Sequence, residues 1–322
     1  MKEPKLYIGV MSKNVVDAAL EYTRETGEPL GLIPSRRQVD FGGGYANKWT
    51  TKELSEYNKG SLVIERDHGG PGQGTYGDDG MESFLKDAEC LDIIHVDPWK
   101  MYTSLEEGTK KTAEYIERIH EKNSSVFFEV GTEESIRHLS AMEFDYCLHA
   151  LRSELSKGAF DKIKYGVIQS GVGLDLINCR NTGKYSNTRL EDMVEICKIY
   201  GIKSKEHNGD YLTREQIKKR FSSGLDAINI APEFGQIETQ CYIEEMSDNI
   251  EELYQMCLSS GRWKKWVTDF SDIKSKESLI GVCGHYIFSS QEFLSIKPDI
   301  DEKIKTRIKE RIDNIICAIK EQ

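Results

Sequence analysis

The sequence predicts an α/β protein: a (β/α)8 TIM barrel with a helical C-terminal extension. Three observations predict it. Eight short β-rich runs follow one another, amphipathic stretches separate them, and polar residues gather where the runs end. Strand alternating with helix implies a parallel sheet, and eight such units imply that the sheet closes on itself. A doubly wound open sheet is the competitor, but it seldom needs eight consecutive units.

The runs are 6–11, 30–35, 61–67, 91–97, 125–131, 164–170, 201–207 and 225–232. They read as nearly continuous in Val, Ile, Leu or Phe, the pattern of parallel strands covered on both faces. Helix-period stretches lie between them, among them 106–121, 189–200 and 213–221. After the eighth run, 236–260 reads as the closing helix. The remainder is very polar and ends in the amphipathic stretch 299–320. It lacks the apolar residues for a core of its own. The expected organisation is therefore a barrel over 1–260 and a helical extension over 261–322 packed against it.

Bulk properties narrow the function. A chain of 322 residues can bury a sizeable core. No stretch approaches the ~18 consecutive apolar residues of a membrane helix. The start, Met1-Lys2-Glu3-Pro4, carries no apolar signal-peptide core, so a cytoplasmic location without membrane association is expected. Eight cysteines are scattered with no CxxC pair, as expected for reduced thiols, and argue against a zinc knuckle. The net charge of −11, with Lys and Arg dispersed, disfavours nucleic acid as a partner. A small phosphorylated ligand needs only one local anion site and is compatible with that charge.

The strand ends carry Arg36-Arg37-Gln38, Asp67-His68, His95-Val96-Asp97, Glu129 to Glu133, Gln169-Ser170, Glu206-His207 and Asn229. Polar chemistry repeated in this phase describes the mouth where barrel enzymes keep their sites. Asp67-His68 precedes Gly69-Gly70-Pro71-Gly72. Adjacent strand residues point to opposite faces, so Asp67 and His68 can share a cavity only if the chain turns there. His207 offers a second imidazole, and Glu129 and Glu133 offer carboxylates. Two His and one Glu converging in a barrel mouth suit a catalytic divalent metal, zinc foremost. The same residues could instead form a hydrogen-bonded rim. His95 and Asp97 fit an outer shell that orients a ligand.

Gln169-Ser170-Gly171-Val172-Gly173 and Asn229-Ile230-Ala231-Pro232 close the sixth and eighth runs. Small residues there expose amides, and Pro232 suits the first turn of a helix. A phosphate could rest on that surface, although glycines in loops are more often plain turns. Arg36 and Arg37 are guanidinium candidates for a second phosphate, or rim salt bridges. His285, in Gly284-His285-Tyr286-Ile287-Phe288 of the tail, is either structural or reaches an active site and is taken as structural; His120 and His138 are taken as solvated helix residues. Lys205 and Lys100 stand near strand ends, where a lysine could serve Schiff-base chemistry instead of a metal.

In order along roughly the first 240 residues, Gln38-Val39-Asp40 to Gly43-Gly44-Tyr45, Asp67-His68-Gly69-Gly70-Pro71 and His95-Val96-Asp97 are followed by Gly131-Thr132-Glu133, Gln169-Ser170-Gly171-Val172, His207 with Asp210-Tyr211-Leu212-Thr213, and Pro232. This ordered set resembles the tagatose-1,6-bisphosphate aldolase accessory-subunit family, relatives of the class II metal-dependent aldolases. The resemblance implies reversible aldol cleavage of a phosphorylated ketose, with a divalent metal stabilising the enediolate. It implies Asp67 as acid/base, His68 and His207 as metal ligands, Glu133 as a ligand or acid/base, and Asn229 as a substrate-binding residue. Gln169 stands where class II enzymes place a third histidine. The accessory family is reputed non-catalytic, so the resemblance carries two assemblies as well: a homo-oligomer, or a subunit that stabilises a separate aldolase chain.

Overall fold

The computed structural model describes residues 3–74 and 77–321. Eight parallel strands close into a barrel: β1 Leu6–Ile8, β2 Gly31–Leu32, β3 Val63–Gly69, β4 Ile93–Val96, β5 Phe127–Val130, β6 Ile163–Ile168, β7 Lys203–Glu206 and β8 Ala227–Ile230. Each strand pairs with the next in chain order, and β1 pairs with β8 to close the ring, Tyr7 opposite Asn229. Every one of the eight runs supplies one strand.

Seven helices follow the first seven strands: α1 Lys13–Thr26, α2 Thr51–Asn58, α3 Met81–Cys90, α4 Leu105–Lys122, α5 Ala141–Glu154, α6 Asn187–Tyr200 and α7 Arg214–Ser222. All but α3 begin on a Ser or Thr whose hydroxyl accepts an amide hydrogen of the first turn: Ser12, Thr50, Ser104, Ser140, Ser186 and Thr213. Such caps satisfy donors that the helix itself leaves free.

The expected closing helix over 236–260 is two helices, α8 Pro232–Glu245 and α9 Ile250–Ser260. Ser247-Asp248-Asn249 between them forms a 3-10 turn, held by Asn249 N–H donating to Met246 O at 2.9 Å. Short polar side chains of this kind compete for backbone partners and interrupt helices. The chain continues through α10 Lys276–Cys283 and α11 Gln291–Ile296 to α12 Asp301–Lys320.

Helix α12 packs against α1, α7 and α8, burying Ile304, Ile308, Ile312, Ile315, Ile316 and Ile319. Polar contacts border this stripe: Lys305 pairs with Glu21 at 2.6 Å, Tyr22 donates to Asp313 at 2.9 Å, and Arg311 pairs with Glu233 at 2.6 Å. The helix at the end of the tail therefore lies in the outer ring beside the first helix.

The barrel interior is partly apolar, with Tyr7, Ile33, Ile93, Tyr165 and Ala227 packed together. A Cβ on Gly31 would stand 2.2 Å from the Tyr7 ring, so glycine is needed for that ring to fill the axis. The rest is charged. Lys205 Nζ lies 2.5 Å from Glu65 and 3.4 Å from Glu129, and 4.0 Å from the centre of the Tyr7 ring. These three charged side chains are fully buried.

Strand β7, Lys203-Ser204-Lys205-Glu206, departs most from the expected apolar run. It works because each buried polar side chain has a partner. Ser204 bonds Asp226 at 3.0 Å, Lys205 meets the two glutamates, and Glu206 pairs with Arg220 at 2.6 Å.

Candidate active site and metal centre

The chain turns at the end of β3 as the pairing of Asp67 with His68 requires. His68 has φ +46°, and the register with β4 is irregular between Arg66 and Gly69. A left-handed backbone at a non-glycine residue is costly and must be held by its surroundings. Here the His68 amide meets His95 Nδ1 at 3.3 Å, and the His68 ring bonds Asp97.

Three imidazoles meet above the Lys205 cluster. His207 Nδ1 stands 3.2 Å from His68 Nε2, and the His95 ring centre lies 4.9 Å from that of His68 and 5.1 Å from that of His207. One ligand atom each from Asp67, His68, His95 and His207 lies within 4.8 Å of all the others. One nitrogen of each ring is engaged by an acceptor, and His95 Nδ1 also accepts from the His68 amide. His68 Nδ1 is 2.6 Å from Asp97 Oδ2, His207 Nε2 is 3.2 Å from Glu129 Oε1, and His95 Nε2 is 3.0 Å from Gly131 O. Acceptors behind a ligating imidazole fix its tautomer and aim its free nitrogen.

The electrostatics favour a cation in the middle. Burial alone would push the His68 imidazole down, but Asp67, Glu133 and Asp97 outweigh it and hold the ring well above its ordinary value. His207 is held well below its ordinary value by burial and by the other two histidines, so it offers a neutral lone pair. Imidazole nitrogens sharing a tetrahedral ion at about 2.0–2.1 Å stand about 3.3 Å apart. The 3.2 Å between His68 Nε2 and His207 Nδ1 matches that spacing. The donor set is chemically suited to a divalent transition-type ion such as zinc.

The assigned ligands shift in one respect. His95, expected to orient a ligand, stands in the inner group, whereas Glu133 lies beside it, 3.6 Å from His68 Nε2. Glu133 accepts hydrogen bonds from Asn208 and Ser135, each at 2.5 Å, and nearby His68 outweighs burial to hold its carboxyl below the ordinary value. Asp97 sits behind His68, bonded to its Nδ1. Glu129, the other carboxylate that the fifth run offers, stands behind His207 at 3.2 Å from its Nε2.

A cavity of about 450 Å³ opens over this group, bordered by Asp67, His68, His207, Glu133, Asn229, Gln38, Arg37 and Gly173. Asn229 is 3 % exposed, and among the described residues neither its Oδ1 nor its Nδ2 has a partner. A buried amide left open on a cavity wall suits a ligand that supplies both a donor and an acceptor.

Other expected substrate residues do not reach the cavity. Arg36 is buried, with Asp78 gripping its guanidinium through two 2.7 Å bonds and Asp40 bonded at 2.9 Å. Its charge is already compensated, which corrects its reading as a phosphate ligand. Gln169 is turned away, accepting from Leu139 N–H and donating to Thr132 O and Arg137 O. Gly171 allows close passage of the chain, since a Cβ there would stand 2.1 Å from Lys184 O. The first turn of α8 does hold Pro232, but Asp210 Oδ1 already accepts from Ala231 and Glu233 N–H at 3.0 and 2.8 Å. Those amides are not open to a phosphate.

Of the two lysines, Lys205 is sealed within its ion pairs beneath the cavity, while Lys100 borders it and donates to Gln73 at 3.2 Å. His138 lies in the loop before α5, not on a helix, and meets Arg189 at 2.9 Å. The tail contributes directly. Lys265, Trp266, His285 and Tyr286 all border the cavity. His285 is buried and pushed down to about 3 by burial and by Lys265, so its ring is neutral. Of the two readings the sequence left for His285, structural or reaching the site, the structure combines both: the ring is buried and borders the cavity.

Fold and mouth together define a (β/α)8-barrel protein with a candidate His/Asp metal centre at the carboxyl ends of its strands. No protein-family model and no curated protein matches the sequence. The likeness to known proteins is structural. A probable tagatose 6 phosphate kinase from Sinorhizobium meliloti superposes with a TM-score of 0.70 at 14% identity, covering 95% of this chain and 86% of that one. The YdjI aldolase from Escherichia coli K12 gives 0.59 at 11% identity, over 97% and 91%. A fructose-bisphosphate aldolase from Campylobacter jejuni gives 0.57 at 13% identity, over 98% and 90%. At these identities the likeness shows the fold, a (β/α)8 barrel. Among the described residues no helix is long and apolar enough to cross a membrane.

Proposed function

We propose that this chain is a metal-dependent, class II-like aldolase that cleaves and forms a phosphorylated ketose. The observation that carries the reading is the convergence of His68, His95 and His207 on one point beside Asp67, each ring aimed by an acceptor at its other nitrogen. The structural likeness to two aldolases supports it.

His68 and His207 would hold the ion, joined by His95 once its Nδ1 releases the His68 amide, zinc being the best match to the donors. When bound, the ion supplies a Lewis acid for the ketone oxygen. Asp67 is placed to act as base. Its carboxylate borders the cavity, and its two nearest imidazoles stand at 3.7 Å, outside hydrogen-bond reach. In the cleavage direction it takes the proton of the hydroxyl that becomes the aldehyde, and it returns that proton in condensation. Asn229 offers a donor and an acceptor to the sugar hydroxyls. Glu133, tied to Asn208 and Ser135, positions the wall beside His68.

The test is an assay of the purified chain alone against ketose mono- and bisphosphates, in both directions, with divalent metal added and then removed by chelator. Metal-dependent cleavage or condensation is the expected result. Activity that appears only with a second chain, whatever residue occupies position 67, would show instead a subunit that supports another aldolase.

A further inference from the structure

Three cations face the cavity from separate parts of the fold: Arg37 after β2, Lys100 after β4, and Lys265 from the tail. Within the described residues none has a carboxylate at ion-pair distance, whereas Arg36, next in sequence to Arg37, holds two. Lys265 Nζ lies 4.0 Å from the centre of the Trp266 ring, and Trp266 Nε1 donates to Tyr286 at 3.0 Å, so the lysine is seated on a braced aromatic. Cation–aromatic stacking of this kind orients an ammonium without neutralising it.

We propose that Lys265, Arg37 and Lys100 form an anion subsite that takes the phosphate group of the substrate, with the C-terminal tail supplying its key cation. The inference rests on the phosphorylated-ketose reading above and names the residues that hold its phosphate.

Mutual repulsion supports the assignment. Partial burial, then Arg37 and less strongly Lys100, lower Lys265 to about 8 against the opposing pull of Glu133 and Asp67, and partial burial followed by Arg37 lowers Lys100 against Asp97 and Glu133. Like charges gathered against their own field, in a chain of net charge −11, are arranged for a bound anion. The alternative anion positions are closed, because Asp210 caps α8 and Asn181 Oδ1 accepts from the Gly173 amide at 3.2 Å. A guanidinium and two ammonium groups match the several oxygens of a phosphate better than the two of a carboxylate.

Inorganic phosphate is the probe, titrated calorimetrically into the full chain at fixed ionic strength, with metal content measured and equal in every protein. Lys265→Met and Arg37→Met should each weaken phosphate binding about tenfold. Lys265→Arg should keep most of it, and Lys264→Met, whose lysine does not border the cavity, should leave it unchanged. Equal affinity in the wild type, Lys265→Met and Arg37→Met would overturn the proposal, as would absence of phosphate binding by the wild type. Acetate binding as tightly as phosphate, with the same dependence on Lys265, would overturn phosphate as the ligand. If the variants lose phosphate while the wild type turns over no ketose phosphate, the subsite stands and the aldolase reading falls.

Discussion

Asp97 Oδ2 lies 2.6 Å from His68 Nδ1, and this contact decides that Nε2 is the nitrogen His68 presents to His207. The carboxylate is fully buried and accepts a second bond from Thr132 at 3.1 Å, so its own position is fixed. Asp97→Ala should therefore lower metal affinity about 10–100-fold, the usual effect of losing such a partner. Competition with a chromophoric chelator would measure it; unchanged affinity would mean that His68 is not a ligand.

The inner group makes a sharper prediction. His68→Ala, His95→Ala and His207→Ala should each strongly reduce bound divalent metal, while His120→Ala on α4 should not. Elemental analysis of the four purified proteins checks this. Retention of metal by His95→Ala would return that residue to an orienting role and leave Glu133 as the ligand to test.

Asp67→Asn should keep the fold and the bound metal but lose turnover, by roughly 10²–10⁴-fold for one positioned base. Circular dichroism, metal analysis and the aldol assay on one preparation separate the roles. Metal lost together with activity would make Asp67 a ligand, not the base.

Away from the mouth, Glu238 is buried and accepts from Ser12 and from Asn14, yet burial raises its carboxyl to about 7. A folded-state value above the ordinary 4.5 means that the native state holds the proton more tightly. The stability this contributes is full below about 4.5 and is lost as pH rises through about 7. Glu238→Gln, which cannot ionise, should thus be more stable than the wild type at pH ~8, by on the order of 1–3 kcal/mol, and not at pH ~5. Thermal midpoints at the two pH values, at one scan rate, decide it.

Lys205 sits in the axis with Glu65 and Glu129 and does not border the cavity. Lys205→Met should destabilise the protein by about 3–5 kcal/mol, because two buried carboxylates lose their cation. Borohydride in the presence of a ketose phosphate should leave Lys205 unmodified, as read by peptide mass; reduction onto that lysine would sink the metal mechanism.

The barrel was legible because strand identity is a local signal. Even the polar β7 kept its place, since turn residues and a following helix period bracket it. The site was legible only where chemistry coincides with a strand end. Asp67, His68 and His207 fall there, but so does Arg36, and sequence cannot say that Asp78, far along the chain, claims its charge. Glycine and glutamine after β6 looked like ligand-binding residues for the same reason, while their partners Lys184, Leu139 and Arg137 lie in loops whose paths no local pattern fixes. The depth of His95, grouped with Asp67, His68 and His207, depends on the irregular register at His68, which no local pattern fixes. The tail residues were missed for want of any local clue, since Lys265 and His285 reach the cavity only through the fold of the last helices.

The seat of α12 against α1 joins Lys305 to Glu21, 284 positions apart. During synthesis α1 emerges well before α12 and waits, one flank bare, while the rest of the barrel is made. Its partner arrives only when Asp301–Lys320 has cleared the ribosome. Closure of the outer ring therefore waits for that helix, and until then α1 lacks the partners of its Glu21 and Tyr22. A chain stalled before residue 301 is the form most in need of a chaperone.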